Sequence, residues 1–258
     1  MKVRVLGCGS SGGVPLIGCK CRICTSNNDP RNRRTRVSIT VEEGNTRVLV
    51  DASPDLRQQF LANDLSVVDA VVLTHGHADH VHGLDELRSI NYYRNAPLDL
   101  WGDRQCLDEV RRRFGYAFEP PSPTGIWYAP CLVPRPIDGP FTVGKLQVHP
   151  FWQEHGGDRD PVLGLRFGRF AYSTDVKVMP EAAFAALAGI EVWIVDCLSE
   201  KPNFAHSHLA QTLAWIERVG PRRAILTHMN HSVDYADWAA RLPEGVEPAY
   251  DGMVIDIP

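Results

Sequence analysis

The sequence predicts an α/β protein built as a four-layer α/β/β/α sandwich. Apolar runs of strand length fall into two groups along the 258 residues, and helix-length segments are interleaved with each group. Two sheets that each carry an apolar face bury those faces by packing together, which leaves the helices outside. No linker, low-complexity stretch or clear repeat divides the chain, so residues 1–258 are read as one domain.

The first strand is Val3 to Leu6, within an N-terminal run where charged and apolar residues alternate. Gly7-Cys8-Gly9-Ser10-Ser11-Gly12-Gly13 follows and is too rich in glycine to be regular. Its N–H groups are expected to be free to approach an anion, although the Lys-Ser/Thr ending of a P-loop is missing. Val37 to Val41 and Arg47 to Val50 read as strands, the second ending at Asp51. Ser53 is expected to cap a helix reaching Leu61, with Pro54 in its first position.

Ala70-Val71-Val72-Leu73 is a buried strand, and a helix runs through Leu84 and Leu87 after it. Strand Leu98 to Trp101 and helix Gln105 to Phe114 come next. Residues 119–140 hold seven of the 19 prolines, so no regular element is expected there, only a long surface loop or a lid. Phe141 to Val143, Leu146 to Phe151, Val162 to Phe167 and Phe170 to Tyr172 read as successive strands. The last third alternates helices (Pro180 to Leu187, His208 to Val219, Tyr235 to Leu242) with strands (Val192 to Val195, Ala224 to Leu226, Met253 to Ile257).

Composition narrows the function classes. With 44% apolar and 22% charged residues the chain is neither disordered nor fibrous. A net charge of -4 argues against nucleic acid as a partner. The basic runs Arg31 to Arg36, Arg111 to Arg113 and Arg222-Arg223 read as solvated faces, the first also as a grip on an anionic substrate. No stretch approaches the roughly 18 apolar residues that span a bilayer. Seven cysteines without a secretory signal fit a reducing cytoplasm rather than disulfides, and nothing here decides against a homodimer.

The chemistry concentrates in Thr74-His75-Gly76-His77-Ala78-Asp79-His80. Three imidazoles and a carboxylate leave one strand end, a donor set suited to zinc, manganese or iron. His155, Asp175 and His228 recur at later strand ends. A second cluster is Cys19, Cys21 and Cys24, spaced C-x-C-x-x-C, which with His231 would complete a closed tetrahedral structural zinc site.

These motifs resemble the metallo-β-lactamase fold superfamily over nearly the whole chain. The resemblance implies one metal on His75, His77 and His155, another on Asp79, His80 and His228, and Asp175 between them. Asp51 would orient the histidine loop, and the resemblance, with Asp rather than Cys at 175, argues against an antibiotic-hydrolysing β-lactamase. Leu6-Gly7…Gly13-Val14-Pro15, Gly18-Cys19…Cys24, Thr227-His228…His231 and Tyr250-Asp251-Gly252-Met253 are similar to the phosphoribosyl cyclic phosphate phosphodiesterase of the carbon–phosphorus lyase pathway and its relatives. That resemblance implies hydrolysis of small cyclic or nucleotide-like phosphodiesters, with His206 and Asp79 as catalytic residues and His206 donating a proton to the leaving oxygen. A tRNA 3′-processing endonuclease, a thioesterase or lactonase, and a catalytically silent binding module are the rival readings.

Overall fold

The structure, a computed structural model, describes residues 1–25, 28–120, 127–156 and 160–258. The first half of the chain folds as β1 (Lys2–Gly7), α1 (Arg22–Thr25), β2 (Ser38–Glu43), β3 (Thr46–Val50), α2 (Leu56–Ala62), β4 (Ala70–Val72), α3 (Ala78–Val81), α4 (Leu87–Arg94), β5 (Leu98–Gly102), α5 (Arg104–Arg113) and β6 (Leu132–Pro136). The second half continues with β7 (Phe141–Val143), β8 (Leu146–His155), β9 (Asp160–Phe167), β10 (Phe170–Ser173), α6 (Glu181–Leu187), β11 (Val192–Asp196), α7 (Leu209–Val219), β12 (Arg223–Thr227), α8 (Tyr235–Arg241), β13 (Val246–Pro248) and β14 (Val254–Asp256).

These strands make two seven-stranded sheets, β14-β1-β2-β3-β4-β5-β6 and β13-β12-β11-β10-β9-β8-β7. Alternation within strands assigns each side chain to a layer. Val48 and Val50 of β3 join the core between the sheets with Val148, Leu163 and Tyr172, while Leu49 faces outward to meet Leu56 and Phe60 of α2. Strands buried on both faces read as unbroken apolar runs, which is why β4 and β11 carry no polar alternation. The four-layer α/β/β/α sandwich is therefore the observed fold.

Each sheet is half antiparallel and half parallel. β3 to β6 run parallel in one sheet and β10 to β13 in the other. Parallel neighbours need crossovers, and the helices supply them. Consequently the carboxyl ends of β3, β4, β10, β11 and β12 are the places where chain leaves the sheets, the usual position for a site in parallel α/β architecture.

Two expectations are corrected. Residues 119–140 do contain a regular element, β6. Its prolines 134 and 136 are accommodated because β6 is an edge strand paired only with β5, so a missing N–H interrupts no second ladder. A lid over 121–126 falls outside the described residues. The helix expected from Ser53 begins at Leu56 instead, because the Ser53 hydroxyl accepts from the Asp55 amide at 3.2 Å and holds a turn ahead of it. Trp152 on β8 is 48% exposed, whereas Trp193 on β11 is fully buried. No helix among the described residues is long and apolar enough to cross a membrane.

Candidate metal centre

Asp51, at the end of β3, organises the histidine loop. It takes a left-handed φ of 62° and accepts from the Thr74 amide at 2.8 Å and the Thr74 hydroxyl at 2.9 Å. His80 donates to the same carboxylate from Nδ1 at 2.7 Å, so its Nε2 is turned into the site. Ala52 donates to the His80 carbonyl at 2.8 Å, and Gly83 donates back to Ala52 at 2.9 Å. A Cβ on Gly83 would stand 1.9 Å from the Ser53 carbonyl, so only glycine allows α3 to sit this close to β3. On the outer side, Arg113 of α5 donates to the Gly76 carbonyl between His75 and His77.

The second sheet completes the site from strand ends. Asp175 and His228 also adopt left-handed backbone, with φ of 52° and 58°. Three of the five non-glycine residues with positive φ among the described residues are therefore site residues, a strain of roughly 1 kcal/mol or more each. It turns each side chain back over the ends of the sheets. His155 ends β8 and donates from Nδ1 to the Ala205 carbonyl at 2.9 Å.

These donors gather into two sets that share one carboxylate. His75, His77, His155 and Asp175 form the first; Asp79, His80, Asp175 and His228 form the second; within each set all ligand atoms lie within 4.8 Å of one another. Asp175 turns Oδ2 toward His75 Nε2 (3.8 Å) and His155 Nε2 (3.7 Å), and Oδ1 toward His80 Nε2 (3.2 Å) and His228 Nε2 (3.4 Å). Asp79 Oδ2 stands 3.4 Å from His80 Nε2 and 3.5 Å from His228 Nε2.

The electrostatics fit a cation. The Nε2 atoms of His75, His80 and His228 are buried with no hydrogen-bond partner, a cost that a shared positive ion removes. Burial opposes ionisation of Asp79 and Asp175, yet the surrounding imidazoles hold both carboxyls well below the usual range. Burial and the neighbouring His80 push His75 down, keeping its lone pair available. His80 is the exception: burial pulls it down, but Asp175, Asp51 and Asp79 outweigh that and raise it. Donor types, burial and orphaned nitrogens all match divalent metals.

Next to the second set sits a pair the sequence reading only half identified. His206, expected from the resemblance, lies with its ring 4.6 Å from that of His155 and 4.5 Å from that of His228. Its Nδ1 meets Asp196 Oδ2 at 3.1 Å, and that oxygen also accepts from the Val176 amide at 2.9 Å. Burial disfavours the imidazolium, but Asp196 lifts His206 to about 9. Asp196 was missed although it ends the apolar run Val192 to Val195, the same signal that marked Asp51 and Asp175.

The cysteine cluster is assembled as expected, with the sulfurs of Cys19, Cys21 and Cys24 mutually within 4.8 Å. Amides of Leu16, Cys21 and Cys24 point at sulfur at 3.3–3.5 Å. The Cys24 amide helps lower the Cys21 thiol, whereas burial lifts Cys24 to about 11. His231 arrives differently from expectation: Cys21 Sγ touches its backbone carbonyl at 3.7 Å, and its imidazole is not part of the gathered group.

The glycine loop and the first basic run are structural. Gly9, Ser10 and Gly13 amides donate to Thr35, Met229 and Ser10 carbonyls, so they form no anion cradle. A Cβ on Gly7 would lie 2.1 Å from the Arg36 carbonyl. Arg34 is buried and donates to the carbonyls of Asn230 (3.1 Å) and Val233 (2.6 Å), tying this loop to the segment after His228. Arg31 pairs with Asp29 and Arg36 with Asp55, so neither matches the substrate grip read from the sequence.

The profile of a beta-lactamase superfamily domain matches residues 46–229. The chain belongs to the metallo-β-lactamase fold superfamily. A solved structure described as a new diphosphatase from the PhnP family superposes with a TM-score of 0.91 at 31% identity, over 100% of this chain and 98% of that one. Zinc-bound PqqB from Methylobacterium extorquens has the same fold, with a TM-score of 0.82 at 23% identity and full coverage of both chains. Coenzyme PQQ synthesis protein B of Methylorubrum populi is 44% identical over 319 residues, covering 100% of each chain. An octanoyltransferase of Porphyromonas gingivalis is 35% identical over 257 residues, 98% of this chain but 51% of that protein. The chain thus spans about half the length of that relative.

Proposed function

We propose that this chain is a metal-dependent phosphodiesterase acting on small cyclic or nucleotide-like phosphodiesters. The observation that carries the reading is Asp175 turning one oxygen to each donor set, with the His206–Asp196 pair against the second set. The similarity to a PhnP-family diphosphatase supports hydrolysis at phosphorus. His75, His77, His155 and Asp175 would hold one divalent ion, zinc or manganese, and Asp79, His80, Asp175 and His228 a second. Such a pair, when bound, makes water a nucleophile near neutral pH and neutralises charge on phosphoryl oxygens.

The protein's own groups supply the proton transfers. Asp196 engages His206 Nδ1 and so leaves Nε2–H for the leaving-group oxygen. Besides its ligand role, Asp79 would accept a hydrogen bond from the attacking water and orient it. Cys19, Cys21 and Cys24, whose sulfurs lie within 4.8 Å of one another, would bind a structural zinc. Between Asp175 and His206 the chain forms α6, β11 and short connections, which leaves no tRNA-clamping arm there. The free thiols support a reducing, cytoplasmic setting.

The test is turnover of 2′,3′-cyclic AMP by metal-loaded protein beside an octanoyl thioester, the comparison suggested by the Porphyromonas relative. Phosphodiester hydrolysis should dominate, and His206→Ala should slow it by about 10²–10⁴-fold with metal content intact. Faster thioester cleavage, or an unaffected His206→Ala variant, overturns the reading.

A further inference from the structure

The loop that presents His206 is held by polar bonds rather than by burial. Its large apolar residue, Phe204, is 78% exposed, so packing does little to fix it. Lys177, two residues beyond Asp175, donates from Nζ to the carbonyl of Asn203 and, at 3.4 Å, to that of His206 itself. The Asn203 side chain closes the turn, accepting at Oδ1 from the amides of Ala205 (2.8 Å) and His206 (3.2 Å). Ala205 in between accepts from His155 Nδ1 at 2.9 Å and from the Gly156 amide at 3.1 Å.

The backbone of Lys177 is anchored on the opposite side. Its amide donates to the Glu154 carbonyl at 2.7 Å, next to His155, and its carbonyl accepts from Gln211 of α7 at 2.9 Å. One residue therefore joins the end of β8, the segment after Asp175, helix α7 and the His206 loop. Loop carbonyls that converge on one point repel each other unless a cation satisfies them, and an ammonium with three protons does so.

We propose that Lys177 is a positioning residue: its ammonium holds loop 203–206 so that His206 meets the leaving-group oxygen. What His206 does there rests on the phosphodiesterase reading; what Lys177 holds does not. Lys177 is outside both metal donor sets, so its loss removes no metal ligand.

The test compares Lys177→Met and Lys177→Arg with the wild type, all metal-loaded. In Lys177→Met, amide hydrogen exchange at Ala205 and His206 should speed up roughly tenfold while β10 and β11 stay protected. Turnover of 2′,3′-cyclic AMP, whose alkoxide leaving group needs a proton, should fall about 100-fold in kcat with KM little changed. For bis-p-nitrophenyl phosphate, whose leaving group departs without protonation, the fall should be roughly tenfold smaller. Lys177→Arg should recover most of both readouts. Unchanged exchange at Ala205 and His206, or equal losses on the two substrates, overturns the proposal. If the wild type hydrolyses neither ester, the phosphodiesterase reading falls and the exchange measurement alone decides Lys177.

Discussion

The N-terminal sheet delivers four donors, His75, His77, Asp79 and His80, from a single strand end, whereas the C-terminal sheet delivers His155, Asp175 and His228 from the ends of β8, β10 and β12. The two sheets reach the same space by different means. In the first, a short loop and one turn of α3 set the spacing, and Asp51 locks that loop through Thr74 and His80. In the second, spacing is the distance between hydrogen-bonded strands, about 4.8 Å per step, and left-handed residues at β10 and β12 aim the side chains. A compact loop is easily braced by one carboxylate; a set spread over three strands depends on the sheet itself and on connecting segments such as the one carrying Lys177.

The comparison breaks most visibly at the residue common to both sets. Asp175→Ala should reduce catalytic-site metal from roughly two ions per chain to below one, read by plasma mass spectrometry, because each set loses its oxygen from the shared carboxylate. Retention of both ions would mean that the sets are independent and the proposed bridge is wrong.

Asp51 tests the brace alone. Asp51→Asn keeps the shape but cannot accept from Thr74 and His80 on both oxygens, so metal affinity should drop about 10–100-fold in competition with a chelator. The loss should be larger for the ion on Asp79, His80 and His228, whose imidazole at 80 is directly held. Equal weakening of both ions would show that the loop moves as one piece.

The smallest effect lies behind the site, where Asp251 ties Thr35 and Cys8 together. Burial raises its carboxyl to about 6, although Thr35 and Cys8 donate to it. Because the folded pKa exceeds the unfolded one, the stabilisation is complete below about 4 and is lost as pH rises through 6. Between pH 5 and 7 the wild type should lose roughly 1 kcal/mol relative to Asp251→Asn in urea unfolding. A difference that stays flat with pH would show that Asp251 is ionised throughout.

Most of the donors were legible because each follows an apolar run, and both sets could be assigned to residues once the resemblance was recognised. What escaped were groups whose role is defined only by who lies opposite. Asp196 looks like any strand-terminal acid until His206 is seen on it. Lys177 looks like a surface lysine until the carbonyls of Asn203 and His206 converge on its ammonium. Arg34 reads as part of a solvated basic run, yet it is buried among carbonyls contributed by residues 196 and 199 positions further along. The edge position of β6, which excuses its prolines, is likewise a property of sheet order and not of composition.

By itself, then, the chain of residues determined the sandwich, the donor types and their places at strand ends, since periodicity and local spacing are written in consecutive positions. The tertiary structure decided the rest: that Asp175 faces two donor sets at once, that the imidazole of His231 stands apart from the cysteine sulfurs while its carbonyl touches one, and that amides of the glycine loop donate to the carbonyls of Thr35, Met229 and Ser10. Those outcomes depend on pairings between residues far apart in sequence, and such pairings exist only once the two sheets have packed.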